Sequence, residues 1–186
     1  MLATSGRLPK RWTDRRPIAP RAENRLENNT NNQTNDPRRT VGETRNHMIN
    51  DIRILQGAQA LGWLEARRLL PRGEFLALAQ NLKGEEGLEI AETIKKVWQT
   101  FETMPKTYDT REVENTTAHL HFFTGSWDWY ITERDVETRQ LQAFGFVKSE
   151  LCPDGEWGYI NLEEITRAGA ELDLYFTPAP VSTFTA

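Results

Sequence analysis

The sequence predicts an α+β fold with three parts: a disordered N-terminal arm, a small helical region, and a small, mainly antiparallel sheet with one short helix. Residues 1–47 are polar and rich in arginine, residues 48–104 repeat apolar side chains at helical spacing, and residues 105–182 alternate like strands between turns. Helices followed by a run of strands are typical of α+β proteins.

The arm differs from the rest of the chain in charge. Residues 1–47 contain ten Lys/Arg and five Asp/Glu, whereas the remaining residues contain 13 and 22. Its centre, NNTNNQTND (28–36), has too few apolar groups to offset the entropy cost of ordering, so we expect disorder. A solvated tail, a phosphate-binding arm and a true start at Met48 all fit this pattern, and the last would leave an acidic body that repels nucleic acid. The basic residues that would contact phosphate are Arg7, Lys10, Arg11, Arg15, Arg16 and Arg21.

Three helices are predicted in the helical region. The first begins near a cap at Asn46 or Asn50 and stops at Leu70, because Pro71 disfavours helix before it. The second covers 74–82, and the third covers 88–104 and ends before Pro105. We expect the apolar side chains of these antiparallel helices to form a core; in the first helix they are Ile49, Ile52, Leu55, Leu61, Trp63 and Leu64.

The strands begin with a hairpin. AHLHFF (118–123) and WDWYITE (127–133) alternate around a loop at 123–126, and matching their apolar faces pairs Phe122 with Trp127 and Leu120 with Trp129. A third strand is predicted at 141–148.

The last part of the chain adds a turn, a helix and two short strands. Cys152-Pro153-Asp154-Gly155 has the composition of a turn and leads into a strand at 156–160. Asn161 is then predicted to cap a helix that runs to about residue 168, with Glu164 at the capping-box position. The final strand is predicted at 172–176.

Composition excludes several classes of protein. No apolar run is long enough to span a membrane, and the start of the sequence lacks the apolar core of a secretory signal, so a cytoplasmic protein is expected. The single cysteine, Cys152, excludes an intramolecular disulfide framework, and its acidic neighbours predict an unreactive thiol. The sequence contains no P-loop, G-x-G-x-x-G, nucleophile elbow or H-E-x-x-H motif, so no cofactor is predicted.

Two groups of side chains could carry function. His119, His121 and Asp128 fall on one face of the predicted hairpin, where they could hold a metal ion or, more simply, be hydrogen-bonded or solvated. An aromatic group could form a core or an exposed binding surface, with its two hairpin tryptophans expected in the core and its tyrosines more exposed; it comprises Trp127, Trp129, Tyr130, Trp157 and Tyr159. The acids Glu133, Asp135, Glu163, Glu164, Glu171 and Asp173 are expected to form a solvated face.

The C-terminal stretch resembles a known family. The stretches MPKTYDT (104–110), FFTGSWDWYITERD (122–135), FGFV (144–147), EWGYINLEEI (156–165) and ELDLYFTP (171–178) resemble, in order and spacing, the bacterial domain of unknown function 2958 family. The resemblance implies a small α+β domain and a gene carried on plasmids, conjugative elements or phages. One departure is Leu172, which stands where the family often has an arginine.

These observations favour a non-enzymatic accessory protein of a mobile genetic element that binds a macromolecule, with a basic protein as the expected partner of the acidic body. Two alternatives stay open at the level of sequence. One is nucleic-acid binding through the basic arm, and the other is a metal-dependent hydrolase that uses His119 and His121.

Overall fold

The computed structural model describes residues 37–111, 113, 115–137 and 141–185. Helix α1 (Pro37–Ala66) is followed by α2 (Arg72–Asn81) and α3 (Gly87–Thr103). The boundary predicted at residue 47 needs correction, because residues 37–47 are helical; residues 1–36 lie outside the described residues. Proline suits the first turn of a helix, and a helix extends at low cost from a segment that is already helical. Asn46 and Asn50 therefore lie inside α1 and do not cap it.

Only one face of α1 is buried, and the spacing of apolar residues in the sequence predicted only some of the residues on that face. Leu61 and Leu64 are buried as predicted, but the other four predicted core side chains are exposed, namely Ile49, Ile52, Leu55 and Trp63. The reason is a close contact between helices: a Cβ atom added at Gly57 would lie 2.4 Å from the Cβ of Ala91 in α3. The face that carries Gly57 and Ala60 is thus buried against α3, and the opposite face of α1 points outward.

The second half of the chain forms an antiparallel sheet, so helices with a mainly antiparallel sheet are confirmed. Its five strands are ordered β5-β4-β3-β2-β6, and β1 pairs with β7 in a separate two-stranded sheet. The elements are β1 (Thr117–Ala118), β2 (Leu120–Thr124), β3 (Trp127–Arg134), β4 (Gln142–Ser149), β5 (Cys152–Asn161), α4 (Leu162–Arg167), β6 (Glu171–Leu172), β7 (Ala179–Pro180) and α5 (Ser182–Thr185).

The hairpin of β2 and β3 has the predicted faces but not the predicted register. Phe122 pairs with Trp129 and Leu120 with Ile131, a shift of two residues from the prediction. The loop is shorter than predicted because Gly125 adopts a φ of +54°, which allows a two-residue turn with glycine at its first central position. A shift of two residues leaves the side chains of β2 and of residues 127–131 on their predicted faces, whereas Ala118, before the interruption at His119, packs with Phe146 on the opposite face.

The turn predicted at 152–155 is wrong. The chain reverses at residues 150–151, and Cys152 already belongs to β5, where it pairs with Ser149. The pairing is irregular between Ser149 and Val147, and Gly155 has a φ of +69°. The turn-forming residues therefore produce an irregularity in β5, an edge strand that can accept proline.

The predicted cap of α4 is confirmed, since Asn161 Oδ1 accepts a hydrogen bond from the Glu164 backbone N–H at 3.1 Å. The final strand is shorter than predicted. Only Glu171 and Leu172 form β6, which pairs with β2.

The main core lies between α1–α3 and one face of the sheet. It includes Leu64 and Ile94 from the helices and Phe122 and Ile131 from the strands. The described residues belong to one compact unit, so the change at residues 104–105 is a change of secondary structure within that unit. A smaller cluster covers part of the other sheet face, where Ala118, Phe146 and Val181 pack with Tyr130, Phe176 and Phe184. None of the helices described is both long and apolar enough to span a membrane.

Candidate functional site

A cleft of about 770 Å³ lies on the sheet face that points away from α1–α3. Its floor consists of four aromatic side chains from two neighbouring strands, because Phe144 pairs with Tyr159 and Phe146 pairs with Trp157. We call it the aromatic cleft. The remaining residues along it are Thr107, Tyr108, Thr110, Arg111, Val113, Asn115, Thr116, Glu133, Asp154, Val181 and Ser182.

The aromatic floor is braced by ring contacts and remains open to solvent. The Trp157 ring stacks on Phe144 with centroids 6.0 Å apart and meets Phe146 edge-on at 5.4 Å. Trp157 and Tyr159 are nonetheless 49% and 54% exposed. Large rings held in place yet accessible are suited to contact a ligand, because little conformational entropy is lost when they bind.

One wall of the cleft is formed by residues 106–111, which we call the wall loop. Glu133 holds this loop in place. Its carboxylate accepts hydrogen bonds from the backbone N–H groups of Tyr108, at 2.9 Å, and Thr110, at 2.7 Å, and also from the Thr110 hydroxyl. The Glu133 side chain is buried, so the prediction that it belongs to a solvated face is wrong. Because pairing shifts between Ile131 and Glu133, this irregularity directs the carboxylate towards the wall loop.

Tyr108 projects from the wall loop in an unusual backbone conformation. Its φ is +81°, which is uncommon for a residue other than glycine and occurs where surrounding contacts enforce it. The Tyr159 hydroxyl donates a hydrogen bond to the Tyr108 hydroxyl at 2.9 Å, and this bond raises the pKa of Tyr159. The Arg111 guanidinium lies over the Tyr108 ring, 4.9 Å from its centroid. The hydrogen bond between the two hydroxyl groups thus links the wall loop to the aromatic floor.

The charged groups of the cleft favour a cationic ligand. Arg111 supplies one positive charge, which is already placed over Tyr108. Asp154 is exposed at the β5 irregularity, and Glu133 lies beneath the wall loop. Exposed tryptophan and tyrosine faces add a negative quadrupole that attracts cations.

The predicted aromatic group is divided between the two faces of the sheet. Only Trp157 and Tyr159 line the aromatic cleft. Tyr130 is covered by the C-terminal segment, where its ring stacks on Phe184 at 4.7 Å. Trp127 and Trp129 stack on each other and lie on the face towards the helices.

The two tryptophans that the sequence assigned to the core differ in burial. Trp129 is partly buried against the main core, but Trp127 is 37% exposed, so the core prediction for Trp127 is wrong. The reason is its position beside the two-residue turn of the hairpin, where β3 begins at the margin of the core.

His121 has both ring nitrogens beside carboxylates. Nε2 lies 2.9 Å from Asp128 Oδ1, and Nδ1 lies 3.4 Å from Asp173 Oδ2. The ring also stacks on Tyr130 at 4.8 Å. The prediction that His121 and Asp128 share a face therefore holds, whereas Asp173, which lies 52 residues further along the chain, was not predicted as a partner.

His119 does not join this group. The strand is interrupted at His119, between β1 and β2, so the alternation that placed both histidines together does not apply. His119 is half-buried beside Val97 and Thr100 of α3, and this burial lowers its pKa. Within residues 37–111, 113, 115–137 and 141–185, no group of three or more His, Cys, Asp or Glu side chains is placed to hold a metal ion. The structure does not assemble the predicted set of His119, His121 and Asp128.

Sequence reasoning missed Tyr108, Arg111 and the burial of Glu133. A signal for Glu133 existed in the sequence, since it directly follows the β-branched residues Ile131 and Thr132 inside the predicted strand 127–133. Tyr108 lies in the stretch MPKTYDT (104–110), but no local pattern gave Tyr108 or Arg111 a place in a site, because their placement depends on the distant carboxylate of Glu133.

Comparison of the chain with family models, curated proteins and solved structures finds no match. The resemblance to the domain of unknown function 2958 family stays a prediction, as does the mobile-element association that it implies.

Proposed function

We propose that the chain is a non-enzymatic binding protein whose aromatic cleft takes a short, basic segment of a partner protein. The observation that carries this proposal is the set of exposed rings, Trp157, Tyr159 and Tyr108, in one cleft beside an exposed acid, Asp154. Tryptophan, tyrosine and arginine are the residues that most often dominate the binding energy of protein interfaces.

The size and charge of the cleft support a segment with a lysine or arginine. Its volume of about 770 Å³ lies within the usual range of ligand sites and suits a few residues rather than a folded domain. A cationic side chain placed over Trp157 would gain a cation–π contact and the attraction of Asp154. The acidic balance of residues 48–186 would also speed the approach of a basic partner.

The hydrolase alternative has less support. Both ring nitrogens of His121 lie within hydrogen-bonding distance of carboxylates, so neither is directed at a substrate. The nucleic-acid alternative depends on basic residues of the arm that lie outside the described residues. The association with plasmids, conjugative elements or phages depends only on the sequence resemblance.

A random peptide library displayed on phage tests the proposal. The full chain should enrich peptides that contain lysine or arginine, whereas Trp157→Ala should not. Calorimetry with an enriched peptide should show that Trp157→Ala raises the Kd at least about tenfold, as expected for an interface anchor.

Tyr175→Ala is the matched control, because Tyr175 is an exposed aromatic that does not line the cleft. It should bind the peptide like the wild type. Failure to enrich any peptide, or equal enrichment by Trp157→Ala, would contradict the proposal. Tight, salt-sensitive binding of a single-stranded oligonucleotide in place of peptide would instead support the nucleic-acid alternative.

A further inference from the structure

Helix α1 carries a row of exposed apolar side chains along one face. Val41, Met48, Ile52 and Leu55 are 68%, 60%, 52% and 68% exposed. Their spacing of seven, four and three residues places them on one stripe, as in the seam of a two-stranded helical pair. The stripe runs over about four turns, and apolar side chains grouped on one exposed face mark interaction sites more often than single ones do.

The stripe lies opposite the face of α1 that packs on α3. Gly57, Ala60 and Leu64 are buried on the inner face, and Arg53 Nε donates to Glu92 Oε1 of α3 at 2.8 Å. All residues from 41 to 49 are exposed, so the first half of α1 extends beyond the part of the helix that is buried against α3. A helical segment of this length gains most of its stability from packing.

The stripe is complementary to itself in the antiparallel direction. If two copies of α1 cross at Met48, Val41 of one copy lies level with Leu55 of the other. Arg45 then lies level with Asp51 on the other flank of the seam, where only its long side chain could reach across to the carboxylate. Arg45 and Asp51 are both exposed. Within its own helix, Asp51 Oδ2 lies 3.8 Å from His47 Nε2. A parallel pair would instead set the two Arg45 side chains against each other, and like charges at a helical seam are unfavourable.

From this symmetry we infer that a second copy of the chain covers the stripe, and that α1 forms a two-fold antiparallel homodimer contact centred near Met48. The contact is isologous, as expected for the commonest class of protein dimer. It lies on the helices and leaves the aromatic cleft of each copy open, so this inference is independent of the proposed function.

Light scattering of the full chain tests the dimer. The wild type should show twice the chain mass of 21.5 kDa and dissociate on dilution. Ile52→Glu should raise the dissociation constant at least about tenfold, because the seam would bury an unpaired carboxylate. Leu151→Glu is the matched control, since Leu151 is exposed in the turn between β4 and β5 and should leave the dimer intact.

The orientation is tested by charge exchange and by cross-linking. Arg45→Glu should weaken the dimer, and the added change Asp51→Arg should restore it. In a Cys152→Ser background, Val41→Cys and Leu55→Cys should form a disulfide between copies when the two variants are mixed, but not when either is oxidised alone.

A monomer at every concentration would overturn the inference. A dimer that resists Ile52→Glu would also overturn it, provided that circular dichroism shows this variant folded. Cross-linking of either cysteine variant alone would overturn the antiparallel orientation.

Discussion

Glu133 shows how one buried carboxylate can shape the wall of a cleft. Its partners, Tyr108 and Thr110, lie in the wall loop, where each directs a backbone N–H at the carboxylate. No other contact described for the wall loop involves a buried charge, and Tyr108 keeps a positive φ in this position. The geometry of the cleft wall therefore depends on a charge in β3.

Replacing Glu133 with glutamine should loosen this wall. The amide NH₂ cannot accept a hydrogen bond from a backbone N–H, so Glu133→Gln should lower the free energy of unfolding by about 1–3 kcal/mol. Urea unfolding measures the change. Glu150→Gln, at an exposed turn, is the control, and equal midpoints for the two variants would mean that the carboxylate does not hold the loop.

Glu74 of α2 is another carboxyl group removed from solvent. It is partly buried and lies on the helical side of the sheet. Burial raises its pKa to about 7, with a further contribution from Glu171, although the Leu172 N–H donates to it at 3.2 Å. Between pH 4.5 and about 7, the folded chain keeps a proton that the unfolded chain has lost. The stabilising contribution of the protonated form is therefore complete below pH 4.5 and is lost as the pH rises through about 7.

The variant Glu74→Gln should remove this pH dependence. At about pH 8 it should exceed the wild type in stability by on the order of 1 kcal/mol, less than the full pKa shift implies because the group is partly exposed to solvent. Below pH 4.5 the two should match. Urea midpoints across this range measure the effect, and parallel pH profiles would contradict it.

At the scale of elements, the contact between α1 and α3 depends on a glycine. A Cβ at Gly57 would lie 2.4 Å from the Ala91 Cβ and 2.5 Å from its Cα, so the helices could not keep their separation. Gly62, five residues later in the same helix, has no atom within 4 Å of an added Cβ. The two glycines therefore separate the effect of packing from that of helix propensity.

Gly57→Ala and Gly62→Ala should change stability in opposite directions. Gly57→Ala should destabilise by about 1–3 kcal/mol, because overpacking outweighs the gain in propensity. Gly62→Ala should stabilise by up to about 1 kcal/mol. Thermal unfolding gives both values, and stabilisation by Gly57→Ala would show that α1 and α3 can separate freely.

At the scale of the whole molecule, helices and sheet share one core. Leu64, Ile94, Phe122 and Ile131 belong to a single buried cluster, although the first two are helical and the others lie in strands. The Thr166 hydroxyl of α4 also lies 3.2 Å from the backbone carbonyl oxygen of Arg68, just after α1. If either the helices or the sheet unfolded, apolar surface of the other would be exposed to water.

We therefore expect a single cooperative unfolding transition. Hydrogen exchange in urea, followed by mass spectrometry, should show α3 and β3–β4 losing protection at the same denaturant concentration. Residues 105–186 expressed alone should fail to fold cooperatively, because the inner sheet face would be bare. A sheet that stays protected after α3 has exchanged would contradict a shared core.

The sequence by itself determined most helices and strands after residue 48, the capping of α4 by Asn161, and the faces of β2 and of residues 127–131, but it missed the helical residues 37–47. These properties follow from local spacing: alternation assigns a strand residue to a face, and an even error in register leaves that assignment unchanged. Local turn composition was less reliable, because Pro153 and Gly155 suit an irregular edge strand as well as a turn.

Only the tertiary structure decided which side of α1 is buried, and which side chains meet at the cleft and at His121. The inner face of α1 follows Gly57 and Ala91, which touch across two helices, and not the larger apolar residues of α1. The cleft joins the wall loop, β4, β5 and the C-terminal segment, while Asp173 reaches His121 from 52 residues away. Such contacts depend on how elements pack over long separations, and no periodicity within one element carries that information.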